Sequence, residues 1–195
     1  WDPGNGAAGE IVADLAKRLP GRHTAVNTVI DGTFPVHHPD PAVEKNLRQV
    51  KDLVAQNKCD VGLAFDGDGD RLGVVTRSGE IIFPDRQLML FAADVLDRNK
   101  GATIIYDVKS TRNLKPWIEQ HGGTPLLWKT GHSFIKAKLK ETGAALAGEM
   151  SGHVFFKAKR MTLPVGYSCQ PADNPFNKLD DEVHFCRRDI PNSPI

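Results

Sequence analysis

No run of apolar residues in this chain approaches the roughly 20 that a membrane-spanning helix needs, and no charged-then-apolar leader opens it. The sequence therefore predicts neither a membrane partner nor secretion. Cysteine is scarce: Cys59, Cys169 and Cys186 are odd in number and scattered, which argues against a disulfide scaffold. No cysteine–histidine group has zinc spacing, and the usage fits a reducing cytosol, so a cytoplasmic protein is expected. An excess of one charge is missing as well. Lysine plus arginine number 25 against 24 aspartate plus glutamate, a net charge of +1 with the signs mixed, so no basic stripe favours nucleic acid. At 195 residues the chain is long enough to bury a core in one or two domains.

Against these absences one hexapeptide stands out, Asp66-Gly-Asp-Gly-Asp-Arg71. Carboxylates at alternate positions in one tight loop repel each other unless a cation joins them. Glycine lets the backbone bend so that Asp66, Asp68 and Asp70 converge, and a hard divalent cation takes such oxygen ligands. A solvated acidic turn is the plain alternative, and the regular spacing argues against it. A calcium EF-hand fails: counted from Asp66, its glycine falls on Arg71 and its bidentate glutamate on Arg77. The flanks, Val61–Phe65 and Leu72–Thr76, read as strands rather than helices.

The chain opens with G-x-G-x-x-G at Gly4, Gly6 and Gly9, and Asp31 follows at the distance of a ribose-binding acid. Taken literally this is a dinucleotide fingerprint, but any tight strand-to-helix turn recruits glycine, and no strand precedes it. A truncated N-terminus is the expectation. Residues 7–19 read as a helix with Ile11, Leu15 and Leu19 on one face. Residues 24–30 read as a strand, and His37 and His38 lie in a proline-rich loop. A helix is expected over 42–56, with Val43, Leu47, Val50 and Val54 facing in. A hairpin across Ser78-Gly79 leads to Ile81-Ile82-Phe83, and a helix follows from Pro84 to about Arg98.

The pattern restarts after Asn99-Lys100-Gly101, which marks a boundary between residues 1–99 and 100–157. Strands are expected at 103–107, 124–128 and 145–147, with helices at 111–121 and 133–142. Two successive α/β blocks predict the class α/β, followed over 158–195 by an irregular, proline-interrupted tail. Three polar loops follow strand ends: Asp107-Val-Lys-Ser110, Lys129-Thr-Gly-His132 and Gly148-Glu-Met-Ser-Gly-His153. Strand ends on one side of a parallel sheet lie side by side, so these loops are expected to line one crevice. Lysine and histidine supply donors for phosphate; glutamate and serine suit sugar hydroxyls.

These motifs, in this order, resemble the α-D-phosphohexomutases, and most closely the bacterial phosphomannomutase/phosphoglucomutase branch. The resemblance runs from Asp2-Pro-Gly-Asn-Gly-Ala7 through His37-His-Pro-Asp-Pro41 and Phe65–Arg71. It continues through Asp107-Val-Lys109, Trp128–His132 and Gly148–His153, and stops near Lys157. It implies two consecutive three-layer α/β/α domains, the second (1–99) with a metal loop and the third (100–157, incomplete) with a sugar loop. The tail over 158–195 is expected not to match, and Val36 replaces a usual asparagine.

The resemblance implies Mg²⁺ bound by Asp66, Asp68 and Asp70, with Arg71 helping to hold an active phosphoserine. Lys109, His132, Glu149, Met150, Ser151, Gly152 and His153 are implied to contact a hexose phosphate. Arg71, Lys109 and His153 take catalytic roles, with His153 or Lys109 as proton carrier. The implied reaction interconverts hexose 1- and 6-phosphates through a bisphosphorylated sugar, in a full-length protein that is a monomer. Met150 points to mannose or glucose, since phosphoglucosamine mutases carry glutamine there. The serine domain is missing from the expected pattern, so the chain alone is expected to be inactive. The alternative is a non-catalytic remnant that binds Mg²⁺ and sugar phosphate.

Overall fold

The computed structural model describes residues 1–157, and the tail expected over 158–195 lies outside the described residues. The chain runs α1 (Gly9–Arg18), a 3₁₀ turn (Glu44–Leu47), α2 (Arg48–Asn57), β1 (Val61–Phe65), β2 (Leu72–Thr76) and β3 (Ile81–Ile82). It continues with α3 (Pro84–Arg98), β4 (Thr103–Asp107), α4 (Leu114–Gln120), β5 (Thr124–Trp128), α5 (His132–Thr142), β6 (Leu146–Gly148) and β7 (Val154–Phe156). Two consecutive α/β units result.

In the first, β1, β2 and β3 form an antiparallel sheet in that order, with Phe65 paired to Leu72 across the acidic loop. That loop is therefore a hairpin connection, not the end of a parallel strand. The alternation of β1 and β2 turns Ala64 and Val75 onto Leu47, Val50 and Val54 of the helical segment. Gly62 permits this packing: a Cβ there would stand 2.4 Å from Val50 Cγ1.

The second sheet has the order β5-β4-β6-β7, parallel except for the last pair. Ile104 and Tyr106 face α3 and α4, packing with Leu88, Leu96, Leu114 and Ile118. Ile105 faces the opposite way, onto Ile135 and Leu139 of α5 and Phe155 of β7. Helices on both faces make the three-layer arrangement.

Two sequence expectations need correction. The helix α3 shares its core with the second sheet, and Asp85 Oδ2 accepts the Thr111 N–H at 2.9 Å, so the boundary at Asn99 falls inside the second unit. Apolar burial against β4 and β6, not the restart of the sequence pattern, sets this seam. Residues 24–30 form no strand. Asn27 takes a left-handed φ of 52°, and its side chain bonds Asp2 and Gln49 instead of continuing a ladder. In α1 the buried residues are Gly9 and Val12, while Ile11, Leu15 and Leu19 are exposed. Contact between Gly9 and the Thr28 backbone turns the helix that way; a Cβ on Gly9 would lie 2.1 Å from Thr28 O. The strand β7 had no expectation, because three residues carry too little pattern.

Candidate functional site

The acidic loop folds back on itself. Arg71 donates its backbone N–H to Asp66 Oδ1 at 3.0 Å and its Nε–H to Asp66 Oδ2 at 2.6 Å. Arg71 also reaches Asp40 Oδ1 at 3.4 Å, a partner the sequence did not flag. One carboxylate oxygen each from Asp66, Asp68 and Asp70 lie within 4.8 Å of one another. Burial opposes ionisation of Asp66, but the hydrogen bonds and charge of Arg71 outweigh it and hold its carboxyl below the ordinary value. Asp70 goes the other way. Burial pushes its carboxyl up, His153 pulls it down, and the charges of Asp66 and Asp68 push it up again. An all-oxygen donor set whose members repel one another fits a hard divalent cation, which would relieve that repulsion.

The glycine fingerprint has a different task from phosphate binding. Asp2 joins β1 through a parallel bridge to Ala64, and the Ala7 N–H donates to Gly67 O at 2.8 Å. A Cβ on Gly6 would stand 2.6 Å from Gly67 O, and one on Gly69 would stand 2.8 Å from Ala8 Cβ. The space a pyrophosphate would need is taken by the acidic-loop backbone at Gly6, by Pro39 at Gly4 and by the Thr28 backbone at Gly9. Asp31 is turned to its own segment, accepting from Thr33 N–H and Oγ1. The dinucleotide reading is therefore set aside. His37 likewise serves the frame: its Nε2 meets the fully buried Asp2 at 2.8 Å, while His38 is exposed.

In the second unit β4, β5 and β6 run parallel, so the loops after them emerge at one end, as expected from the sequence. Lys109 is exposed. His132 is the first residue of α5, and its ring lies 5.7 Å from that of His153. Glu149, expected to grip a sugar, is 2% exposed, and its Oε1 accepts the Gly131 N–H at 2.6 Å. Among the described residues its Oε2 is buried without a hydrogen-bond donor, although His153 Nδ1 lies 3.4 Å away. A buried carboxylate oxygen left so costs about 1–3 kcal/mol, which an incoming hydroxyl donor would recover. Met150 turns its N–H to Asp107 Oδ1 at 3.3 Å, and Ser151 Oγ lies 2.8 Å from His153 Nδ1. Asp107 is wholly buried and was not singled out as a site residue. A single aspartate closing an apolar strand was the signal available.

The two units meet at these loops. His153 Nε2 lies 3.3 Å from Asp70 Oδ2. Gly152, with φ of 103°, lies so close to Arg71 that a Cβ on it would stand 3.3 Å from Arg71 Cβ. Arg71, Gly152 and His153 thus join the acidic loop to the loop after β6. The result is one face with grouped carboxylates, a guanidinium and imidazoles, suited to a cation together with a phosphorylated ligand.

Comparison with known proteins accords with this arrangement. Residues 1–79 match the family described as phosphoglucomutase/phosphomannomutase, alpha/beta/alpha domain II. Residues 83–166 match alpha/beta/alpha domain III of the same family, so the match runs past Lys157. A phosphomannomutase/phosphoglucomutase of Pseudomonas aeruginosa is 58% identical over 158 residues, 81% of this chain and 34% of the relative. A phosphoglucomutase of Neisseria gonorrhoeae is 51% identical over 92% of this chain and 41% of its own length. That span exceeds what residues 1–157 provide, so the expected end of the family resemblance is corrected. A crystal structure of a phosphoglucomutase/phosphomannomutase family protein from Burkholderia thailandensis superposes with a TM-score of 0.78 at 62% identity, covering 80% of this chain and 34% of that one. The chain spans about a third of the length of most of these relatives. It belongs to the phosphoglucomutase/phosphomannomutase family, whose α/β/α domains II and III it carries.

Proposed function

We propose that this chain is the metal- and sugar-binding portion of a phosphohexomutase that interconverts the 1- and 6-phosphates of mannose or glucose. The observation that carries the reading is the junction of Asp70 with His153 at 3.3 Å, which brings a cation site and a polar loop into one face. The cation is Mg²⁺, held by Asp66, Asp68 and Asp70, and when bound it supplies neutralising charge to a transferring phosphoryl group.

The chain's own residues perform the remaining tasks. Arg71, braced by Asp66 and Asp40, offers further guanidinium N–H donors to phosphoryl oxygens. Lys109 and His132 take the phosphate of the sugar, and Glu149 and Ser151 take its hydroxyls. Met150, Gly152 and His153 complete the loop, with Gly152 keeping it against Arg71. In the transfer, a new bond forms between the sugar hydroxyl oxygen and the phosphorus of a phosphoserine supplied from outside these residues. The serine O–P bond breaks, His153 or Lys109 accepts the hydroxyl proton, and the freed serine oxygen takes up a proton to become the hydroxyl again. After the bisphosphorylated sugar reorients, the reverse transfer returns its other phosphate to the serine. Catalysis of this kind rests on positioning and charge, which fits a site built from braced side chains.

Because the chain spans about a third of most of its relatives, we propose that it binds but does not turn over substrate by itself. Calorimetric titration of the 195-residue chain with MgCl₂, then with glucose 1-phosphate and mannose 1-phosphate, tests this. Expected are Mg²⁺ binding that disappears in Asp68→Asn, and sugar-phosphate binding without turnover in a coupled assay. Absence of both binding events overturns the assignment, and turnover overturns the claim of inactivity.

A further inference from the structure

Asp107 ends β4, the central parallel strand, and is 0% exposed. A carboxylate so buried must find donors within the protein. Its donors come from three separate loops. Ser110 Oγ donates at 2.6 Å from the loop after β4, Thr130 Oγ1 at 3.0 Å from the loop after β5, and the Met150 N–H at 3.3 Å from the loop after β6. The last two loops are joined a second time, where the Gly131 N–H, beside Thr130, meets Glu149 Oε1.

All three donors are neutral, so among the described residues no ion pair recovers the cost of burying Asp107. The sheet around it is already held by Ile104, Ile105, Leu146 and Ala147. Apolar groups replacing Asp107 and its two hydroxyl partners together would cost stability little beyond the Met150 N–H left unpaired. What the carboxylate adds is register: with two oxygens it fixes the separation of loops that carry Lys109, His132 and Glu149–His153.

We propose that Asp107 is a positioning residue for the sugar-phosphate site, setting the relative geometry of its three loops without touching the ligand. The proposal rests on the sugar-phosphate reading above. In Asp107→Asn the amide oxygen can take the Oδ1 place and still accept from Ser110 Oγ and the Met150 N–H, while the NH₂ donates to a rotated Thr130 hydroxyl. Asp107→Ala instead removes both acceptors, and the Met150 N–H has no rotation by which to adapt.

The test compares the parent chain with Asp107→Ala and the conservative Asp107→Asn, and with Thr130→Val and Ser110→Ala in case Asp107→Ala does not fold. Three quantities are read: thermal midpoint, Mg²⁺ affinity and glucose 1-phosphate affinity. Expected for Asp107→Ala is a folded protein whose Mg²⁺ affinity is little changed and whose glucose 1-phosphate affinity falls about tenfold, with most of that affinity kept in Asp107→Asn. Each hydroxyl deletion is expected to show a smaller loss in the same direction. A lowered midpoint with unchanged glucose 1-phosphate affinity overturns the proposal, since it leaves Asp107 only a structural part. If the parent chain binds no sugar phosphate, the functional reading fails separately. The positioning claim is then read from NMR signals of the Gly131 and Met150 amides and the His132 ring. They must shift in Asp107→Ala while the His37 ring signal stays, and unchanged signals overturn it.

Discussion

His153 Nε2 lies 3.3 Å from Asp70 Oδ2, so an imidazole from the second unit faces a carboxylate of the acidic loop in the first. The same histidine has Ser151 Oγ 2.8 Å from Nδ1 and stacks near Phe155. It stands between the grouped carboxylates of the acidic loop and the loop proposed to take the sugar. Four predictions follow from this junction and its supports.

Asp70 carries a penalty that the cation lifts. Its carboxyl is raised above the ordinary 3.8, by burial first and by Asp66 and Asp68, with His153 opposing. A raised carboxyl favours the neutral form in the fold. Stability is therefore lost as pH climbs from the ordinary value through the raised one, and the loss is complete at neutral pH. In metal-free chain at pH 7, Asp70→Asn should raise the melting temperature by up to about 2 °C, a small effect because solvent screens this half-exposed group. At pH 3 the difference should vanish, and the stabilisation by added Mg²⁺ should be lost. Calorimetric scans with EDTA or MgCl₂ check all of this; a melting temperature that falls at pH 7 contradicts it.

Gly6 is needed for close approach. An alanine methyl there meets Gly67 O at 2.6 Å, a backbone atom that cannot swing aside. Gly6→Ala should cost about 1–3 kcal/mol and weaken Mg²⁺ binding, because the acidic loop must shift to make room. Urea unfolding and a Mg²⁺ titration measure the two effects.

Glu149→Gln keeps an acceptor for the Gly131 N–H and replaces the unpartnered Oε2 by an amide nitrogen. The fold should persist while glucose 1-phosphate affinity drops about tenfold, the value of a hydrogen bond to a charged group. Unaltered affinity in a folded variant would remove Glu149 from the site.

Leu88→Ala tests which unit owns α3. Leu88 is 1% exposed and packs with Ile104 and Leu146, so its truncation should cost about 2–5 kcal/mol. Hydrogen exchange should quicken in β4 and β6 and stay slow in β1 and β2. The reverse pattern would return α3 to the first unit.

Much of this fold is legible in the sequence where local pattern and burial agree. Val61–Phe65, Leu72–Thr76, Thr103–Asp107 and Thr124–Trp128 are short β-rich runs bounded by glycine or polar turns, and each is a strand with those bounds. Pro84 at the first position of α3 marks a helix start. The acidic hexapeptide is legible for a related reason: glycine spacing and like charge leave few other uses.

The sequence by itself determined the strands β1, β2, β4 and β5, the longer helices, the acidic loop and the three polar loops, because side-chain period and glycine placement act over a few residues. Only the tertiary structure decided which face of α1 is buried, where α3 packs, and that the opening glycines seat the acidic loop. Those outcomes depend on contacts between residues far apart in the chain, such as Gly9 with Thr28 and Gly6 with Gly67. Asp107 belongs to the same class. One aspartate at a strand end looks like any other until the fold brings Ser110, Thr130 and Met150 to its two oxygens.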